Sequence, residues 1–135
     1  LGGLMNKKEP YATEQEIKKR VIHYNDIPLL ELAPGSKTHL IAGEQAVVSI
    51  LTMSANSYFP IHQHEAEQIM IVLEGHLEHI IDGKIYHVGK GDVVILPSNI
   101  PHGAYIGDVD CRVIDIFAPP RQDLVTKAKE VAINR

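Results

Sequence analysis

The chain has 135 residues, of which 44% are hydrophobic and 22% charged, with a formal net charge of −4. This length and balance fit one globular domain with a sizeable core. The acidic charge offers no footprint for nucleic acid, and no run approaches the roughly 18 apolar residues of a membrane span. Trp is absent and aromatics make up 5%, so the core must be aliphatic. The single Cys111 rules out an internal disulfide and lies in an apolar, strand-like stretch, where a buried inert thiol is expected. No basic-then-apolar leader is present, and a cytoplasmic location is expected. Leu1-Gly2-Gly3-Leu4 reads as a vector remnant ahead of a natural start at Met5.

Thr13-Glu14-Gln15-Glu16 has the form of a capping box and predicts a short helix through Arg20, which must dock or fray because it is too short to stand alone. Ala33-Pro34-Gly35-Ser36 is a turn signal between a short strand in 27–32 and another in 38–42. Ala46 to Ser54 is rich in Val, Ile and Thr and predicts a strand. Ala55-Asn56-Ser57 turns the chain towards His62-Gln63-His64. Gln68 to Leu73 is the most apolar strand, expected to be covered on both faces, and Glu74-Gly75 breaks it. His76 to Asp82 and Lys84 to Val88 flank Asp82-Gly83, a hairpin signal. Alternation does not decide which of His76, His79 and His87 face inward, and none of them is favoured as a ligand. Val109 to Ala118 is the last long strand. Pro119-Pro120 stops it, and Asp123 is placed to cap a final helix through about Asn134, with Leu124, Ala128 and Val131 on one side. Many short strands between Gly, Pro, Asn and Asp turns indicate an antiparallel sandwich or barrel.

The chemistry concentrates in His62-Gln63-His64-Glu65-Ala66-Glu67-Gln68. Two histidines one residue apart on an extended strand point to the same face. Gln68 offers a carbonyl oxygen four residues later, and an antiparallel strand after Pro101 would bring His102 to the same point. Three imidazoles and an amide are neutral ligands, so a bound divalent ion keeps its full charge and acts as a Lewis acid. Glu65 or Glu67 could replace Gln68, although Glu67 points away from the face Gln68 occupies. The donor set accepts Zn, Ni, Fe or Mn without naming one. Further on, Asp115 lies inside the apolar run Val113-Ile114-Asp115-Ile116-Phe117. It is costly to bury there without a partner or a role at the site. Asp115 and Phe117 share a strand face, and Arg121 follows the double proline.

These two stretches resemble the paired motifs of the cupin superfamily: His62, His64, Gln68 and Gly75, then Gly91, Pro97 and His102. Gln68 replaces the usual Glu. Asn56 and Asn99 replace two glycines, which Asn can do because it tolerates left-handed angles. Ile106 replaces a final Asn. The resemblance covers about residues 40 to 118 and implies an all-β fold, a double-stranded β-helix (jelly-roll) cupin barrel with short N- and C-terminal helices, in a single domain over 1–135. It also implies one divalent metal ion per chain held by His62, His64, Gln68 and His102, and a homodimer. The ending Asp115, Phe117, Pro119, Pro120, Arg121 and Asp123 is similar to that of the pectin-degradation cupins, which linearise 4,5-unsaturated monouronates. On that resemblance the ligand is a carboxylate sugar. Asp115 is the acid or base, Arg121 binds the carboxylate and Phe117 is the wall against the ring, with Tyr105 an additional donor to consider. The alternatives are a metal-dependent oxygenase or lyase acting on another small acid, and a non-catalytic ligand-binding cupin.

Overall fold

The computed structural model describes residues 6–133; the proposed remnant, Met5 and Asn134 lie outside them. Helix α1 (Glu14–Arg20) starts at the expected capping box: Thr13 Oγ1 accepts from the Glu16 amide, and the Glu16 carboxylate accepts from the Thr13 amide. None of its residues is buried, so the cap and not packing defines it. A 3-10 turn at Tyr24–Asp26 leads into β1 (Leu30–Ala33), β2 (Ser36–Ala42), β3 (Val47–Met53), β4 (Tyr58–His62) and β5 (Glu67–Glu74). Then come β6 (His76–Ile81), β7 (Lys84–Gly89), β8 (Val93–Leu96), β9 (His102–Ile106), β10 (Cys111–Ala118) and helix α2 (Gln122–Ile133).

The strands form two antiparallel sheets, ordered β1-β2-β3-β10-β5-β8 and β4-β9-β6-β7. Their inner faces supply the core, in which Leu51, Met70 and Val113 of one sheet meet Leu77, Ala104 and Ile106 of the other. A second cluster lies under α2, where Leu124 and Ala128 pack on Leu40, Val47 and Phe117. Each fully buried aliphatic side chain contributes about 1.5–3 kcal/mol, so these two clusters outweigh any single polar contact in the fold. Cys111 is buried, and burial pushes its thiol up to about 11.

The turns follow the sequence. Asp82 and Gly83 both have positive φ and close the β6–β7 hairpin. Asn56 and Asn99 both sit at φ 61, the left-handed region expected where they stand in for glycine.

Three expectations are corrected. Strand β5 alternates buried and half-buried residues instead of being covered on both faces. Its Ile69 and Ile71 point outward with Ile41, Val48, Ile50, Ile114, Ile116, Val93 and Ile95 in register across five strands. This aliphatic face is half-buried at its centre and open at Val93 and Ile95, which are 57% and 63% exposed. Asp123 does not stand ahead of the final helix: it lies inside the first turn of α2 and accepts from Arg121. The last strand begins at Cys111 and not at Val109.

Gly75 shows how tightly the sheet edge is set. Its φ is +81, and a Cβ there would collide with the backbone oxygen of Asp110 and come within 3.0 Å of Cys111 Cα. Gly75→Ala is expected to destabilise the protein by about 2 kcal/mol or more, measured by urea denaturation. An unchanged midpoint contradicts this account of the turn.

Candidate metal centre and adjoining cavity

His62 ends β4 and His102 begins β9, and the two are cross-strand partners with ring centroids 4.3 Å apart. His64 lies beyond the end of β4, so the shared strand face expected for the two histidines is not what aligns them. The loop does so instead. The Asn99 amide donates to the His64 carbonyl at 2.7 Å and ties the loop to the approach of β9. The rings of His64 and His102 then stand 5.0 Å apart, edge to face. One ring nitrogen from each of His62, His64 and His102 lies within 4.8 Å of the others, a group that can hold a metal ion.

Each ring is oriented in the same way. Nδ1 of His62 lies 2.9 Å from the Pro60 carbonyl, that of His64 lies 2.8 Å from Ala66 O, and that of His102 lies 2.9 Å from Ile100 O. A carbonyl can only accept, so Nδ1 carries the proton and the neutral ring keeps its lone pair on Nε2. This is the outer-shell arrangement that fixes tautomer and orientation in metal-ligating histidines.

Gln68 is buried on β5, and its Oε1 lies 3.1 Å from Nε2 of both His64 and His102. With Nδ1 protonated, those are two imine lone pairs facing a carbonyl oxygen. Acceptors crowded together without a donor are relieved by a cation, so the residues fit a divalent ion. The amide cannot turn over freely, because Gln68 Nε2 donates to Asp115 Oδ1 at 2.8 Å.

Asp115 is buried in the middle of β10. Burial pushes its carboxyl up to about 7, against the opposing pull of the Gln68 hydrogen bond and the Arg121 charge. Its Oδ2 makes no hydrogen bond among the described residues. Phe117, on the same face, stands edge-on to His64 at 5.4 Å, and Arg121 lies over its ring at 5.1 Å. Arg121 already donates twice to Asp123, through Nε at 3.2 Å and Nη2 at 2.7 Å, leaving Nη1 without a hydrogen-bond partner among the described residues. Burial raises the Asp123 pKa, but the hydrogen bond and charge of Arg121 outweigh it and hold the carboxylate below its ordinary range. His62, His102, Gln68, Asp115, Phe117 and Arg121 thus line one cavity between the sheets.

Glu65 and Glu67 are exposed and stand outside the histidine group. Tyr105 is exposed on the outer face, 5.1 Å from the ring of Tyr58, and offers nothing to the cavity. His76 and His87 also face outward.

His79 is the residue that sequence reasoning passed over. It is buried, lines the same cavity and stands 6.1 Å from the His102 ring. The signal was present: Leu77 must face the core, and His79 shares its parity. Burial pushes the pKa of His79 down to about 4, and does the same to His102; His62 is also lowered by burial.

A base whose pKa falls on folding binds fewer protons in the folded than in the unfolded chain. The stability from its neutral form is therefore complete above about 6.5 and lost as pH falls towards about 4. For His79 the loss is at most about 3 kcal/mol. Asp115, whose pKa is raised, opposes this trend. Metal-free His79→Phe is expected to lose less stability than metal-free wild type between pH 6.5 and 4. Urea denaturation across that range checks it, and parallel curves contradict it.

Comparison with known proteins places the site in context. The sequence profile described as the cupin domain matches residues 49–117. Dimethylsulfoniopropionate lyase DddQ of Ruegeria pomeroyi is 37% identical over 62 residues, which is 45% of this chain and 31% of that protein. The chain thus spans well under half the length of that curated relative. Among solved structures, KdgF from Halomonas sp. superposes with a TM-score of 0.68 at 27% identity, covering 73% of this chain and 92% of that one. A RmlC-like cupin from Shewanella frigidimarina superposes with a TM-score of 0.67 at 21% identity, covering 88% and 98% of the two chains, and shares the fold.

Proposed function

This chain belongs to the cupin family, and on that premise we propose that it is a single-domain, metal-dependent enzyme that linearises 4,5-unsaturated uronates. The observation that carries the reading is the buried pair Gln68–Asp115, which joins a three-histidine metal centre to a carboxyl group facing the same cavity. The likeness to KdgF, a pectin-degradation cupin, over 92% of its length supports the choice of substrate. In this reading the protein works in the cytoplasm, whose reducing conditions suit the free, buried thiol of Cys111.

The ligand set is His62, His64, His102 and Gln68 Oε1. A divalent ion bound there supplies Lewis acidity towards substrate oxygens. Asp115 Oδ2 takes the proton from the anomeric hydroxyl as the bond between C1 and the ring oxygen breaks, leaving an aldehyde and an enolate. The same carboxyl returns that proton to C4 as the enolate oxygen becomes the ketone, with no net change in atoms. A carboxyl poised by burial near 7 suits both directions of transfer. Arg121, half-buried at the mouth, receives the substrate carboxylate through Nη1, and Phe117 forms the wall against the ring.

Purified protein is expected to hold close to one divalent ion per chain, with His102→Ala losing most of it; full metal content in the variant contradicts the ligand set. Conversion of 4,5-unsaturated galacturonate to the linear keto acid, followed by NMR with the spontaneous rate subtracted, is expected from wild type. Asp115→Asn is expected to lower it by about 10²–10⁴-fold, while Arg121→Lys acts mainly on KM. No acceleration by wild type overturns the uronate reading and leaves a binding cupin. A lyase is the second reading, favoured by the 37% identity to dimethylsulfoniopropionate lyase; release of dimethyl sulfide from dimethylsulfoniopropionate selects it.

The protein acts as a homodimer in this reading. The aliphatic face from Ile41 to Ile95 spans five strands, and an apolar surface of that kind suits a self-complementary two-fold contact better than open solvent. Light scattering is expected to give a dimer at micromolar concentration and a monomer for Ile116→Lys; a monomeric wild type removes the claim.

A further inference from the structure

His79 occupies an inward-facing position on β6 whose neighbours Leu77 and Ala104 are core residues. It is 3% exposed, yet among the described residues neither of its ring nitrogens has a hydrogen-bond partner, and Nδ1 is wholly buried. A buried polar group left unpaired is destabilising, and native folds rarely retain one. If filling space were the only need, a phenylalanine or leucine would serve better. His79 is not in the three-histidine group, because its nitrogens lie outside the span that joins His62, His64 and His102.

The position of the ring explains its retention. His79 lies on the four-stranded sheet, and Asp115 and Gln68 lie on the six-stranded sheet across the cavity. A molecule held at the metal centre is therefore flanked by a carboxyl on one side and an imidazole on the other. The neutral ring offers one donor and one acceptor, and Arg121 is the cavity's cation. A carboxylate matches Arg121, whereas a neutral hydroxyl, itself both donor and acceptor, matches His79.

We propose that His79 is a specificity-determining residue that hydrogen-bonds a hydroxyl group of the substrate, so that the cavity selects hydroxylated carboxylates over their deoxy counterparts. That His79 awaits a ligand follows from its unpartnered ring, whereas the hydroxylated carboxylate class rests on the function proposed above.

Two measurements on the metal-loaded protein test it. The first needs no substrate: His79→Phe is expected to raise Tm by about 3–10 °C at pH 7.5, because it removes an unpaired buried group. A lower Tm shows that the ring is structural and overturns the proposal. The second measures the affinity of tartrate against succinate and of galacturonate against cyclohexanecarboxylate, by calorimetry. Wild type is expected to prefer the hydroxylated member by about 5–100-fold, His79→Phe to lose that preference, and His79→Gln to restore part of it. Metal content is expected to be equal in all three. A wild type without preference, or a phenylalanine variant that keeps it, overturns the proposal.

The uronate assay is separate. If wild type turns over the unsaturated uronate, His79→Phe is expected to raise KM more than it lowers kcat. If wild type is inactive there but still prefers hydroxylated acids, the uronate reading fails and the role of His79 stands.

Discussion

The amide of Gln68 spans the boundary between the core and the histidine cluster. Its nitrogen donates to Asp115 Oδ1 at 2.8 Å, and its oxygen lies 3.1 Å from Nε2 of both His64 and His102. Those three contacts decide which end of the amide faces the histidines. If Asp115 did not accept the N–H, the amide could rotate and present donors to the imine lone pairs, a geometry that repels a cation. Burying a carboxyl in the centre of a strand otherwise has no stabilising return. At this position the cost is offset by orientation, because a buried amide and carboxyl that satisfy each other hold the site in one arrangement.

The rest of the site depends on the same economy of donors. Three backbone carbonyls, those of Pro60, Ala66 and Ile100, take the Nδ1 protons of the three rings. The Asn99 amide fixes the loop that carries His64. Rigid strands place His62 opposite His102, and a tethered loop completes the triangle. The cavity is therefore built before any ligand arrives, and its asymmetry is chemical. One wall carries a carboxyl tied to an amide, and the other carries an imidazole with no hydrogen-bond partner among the described residues.

The two outer faces of the sheets also differ. On the smaller sheet, Tyr58, Tyr105, Glu78 and His87 alternate with aliphatic residues, which suits solvent. On the larger sheet, one row of isoleucines and valines runs across β2, β3, β10, β5 and β8, and a second runs across β3, β10, β5 and β8 to end beside His39 of β2. Strand propensity explains why those residues favour a pleated surface, but not why they stand half-open to water. Contiguous apolar surfaces of this kind are the ones that mark interaction sites on folded proteins.

Much of this was legible in the chain. The Asp82-Gly83 hairpin, the capping box at Thr13, the left-handed Asn56 and Asn99, and the spacing of His62, His64 and Gln68 are local signals, each read from a few neighbouring residues, whereas His102 joined them through the pairing of two distant motifs. The burden on Asp115 was also visible, because an acid inside an aliphatic run demands a partner. Its partner was not, since Gln68 and Asp115 are 47 positions apart and meet only through the register of β5 on β10. His79 shares the parity of Leu77, but only cross-strand pairing placed it opposite Ala104, one row from His102. Arg121 read as the group that binds a carboxylate, and its pairing with Asp123 was not legible, because α2 starts two residues earlier than a cap at Asp123 implies. Sequence determined which groups were available and how the chain turns between them. Tertiary structure decided which of them face one another, because strand register and sheet stacking are set by burial across the whole core and not by any residue's neighbours in the chain.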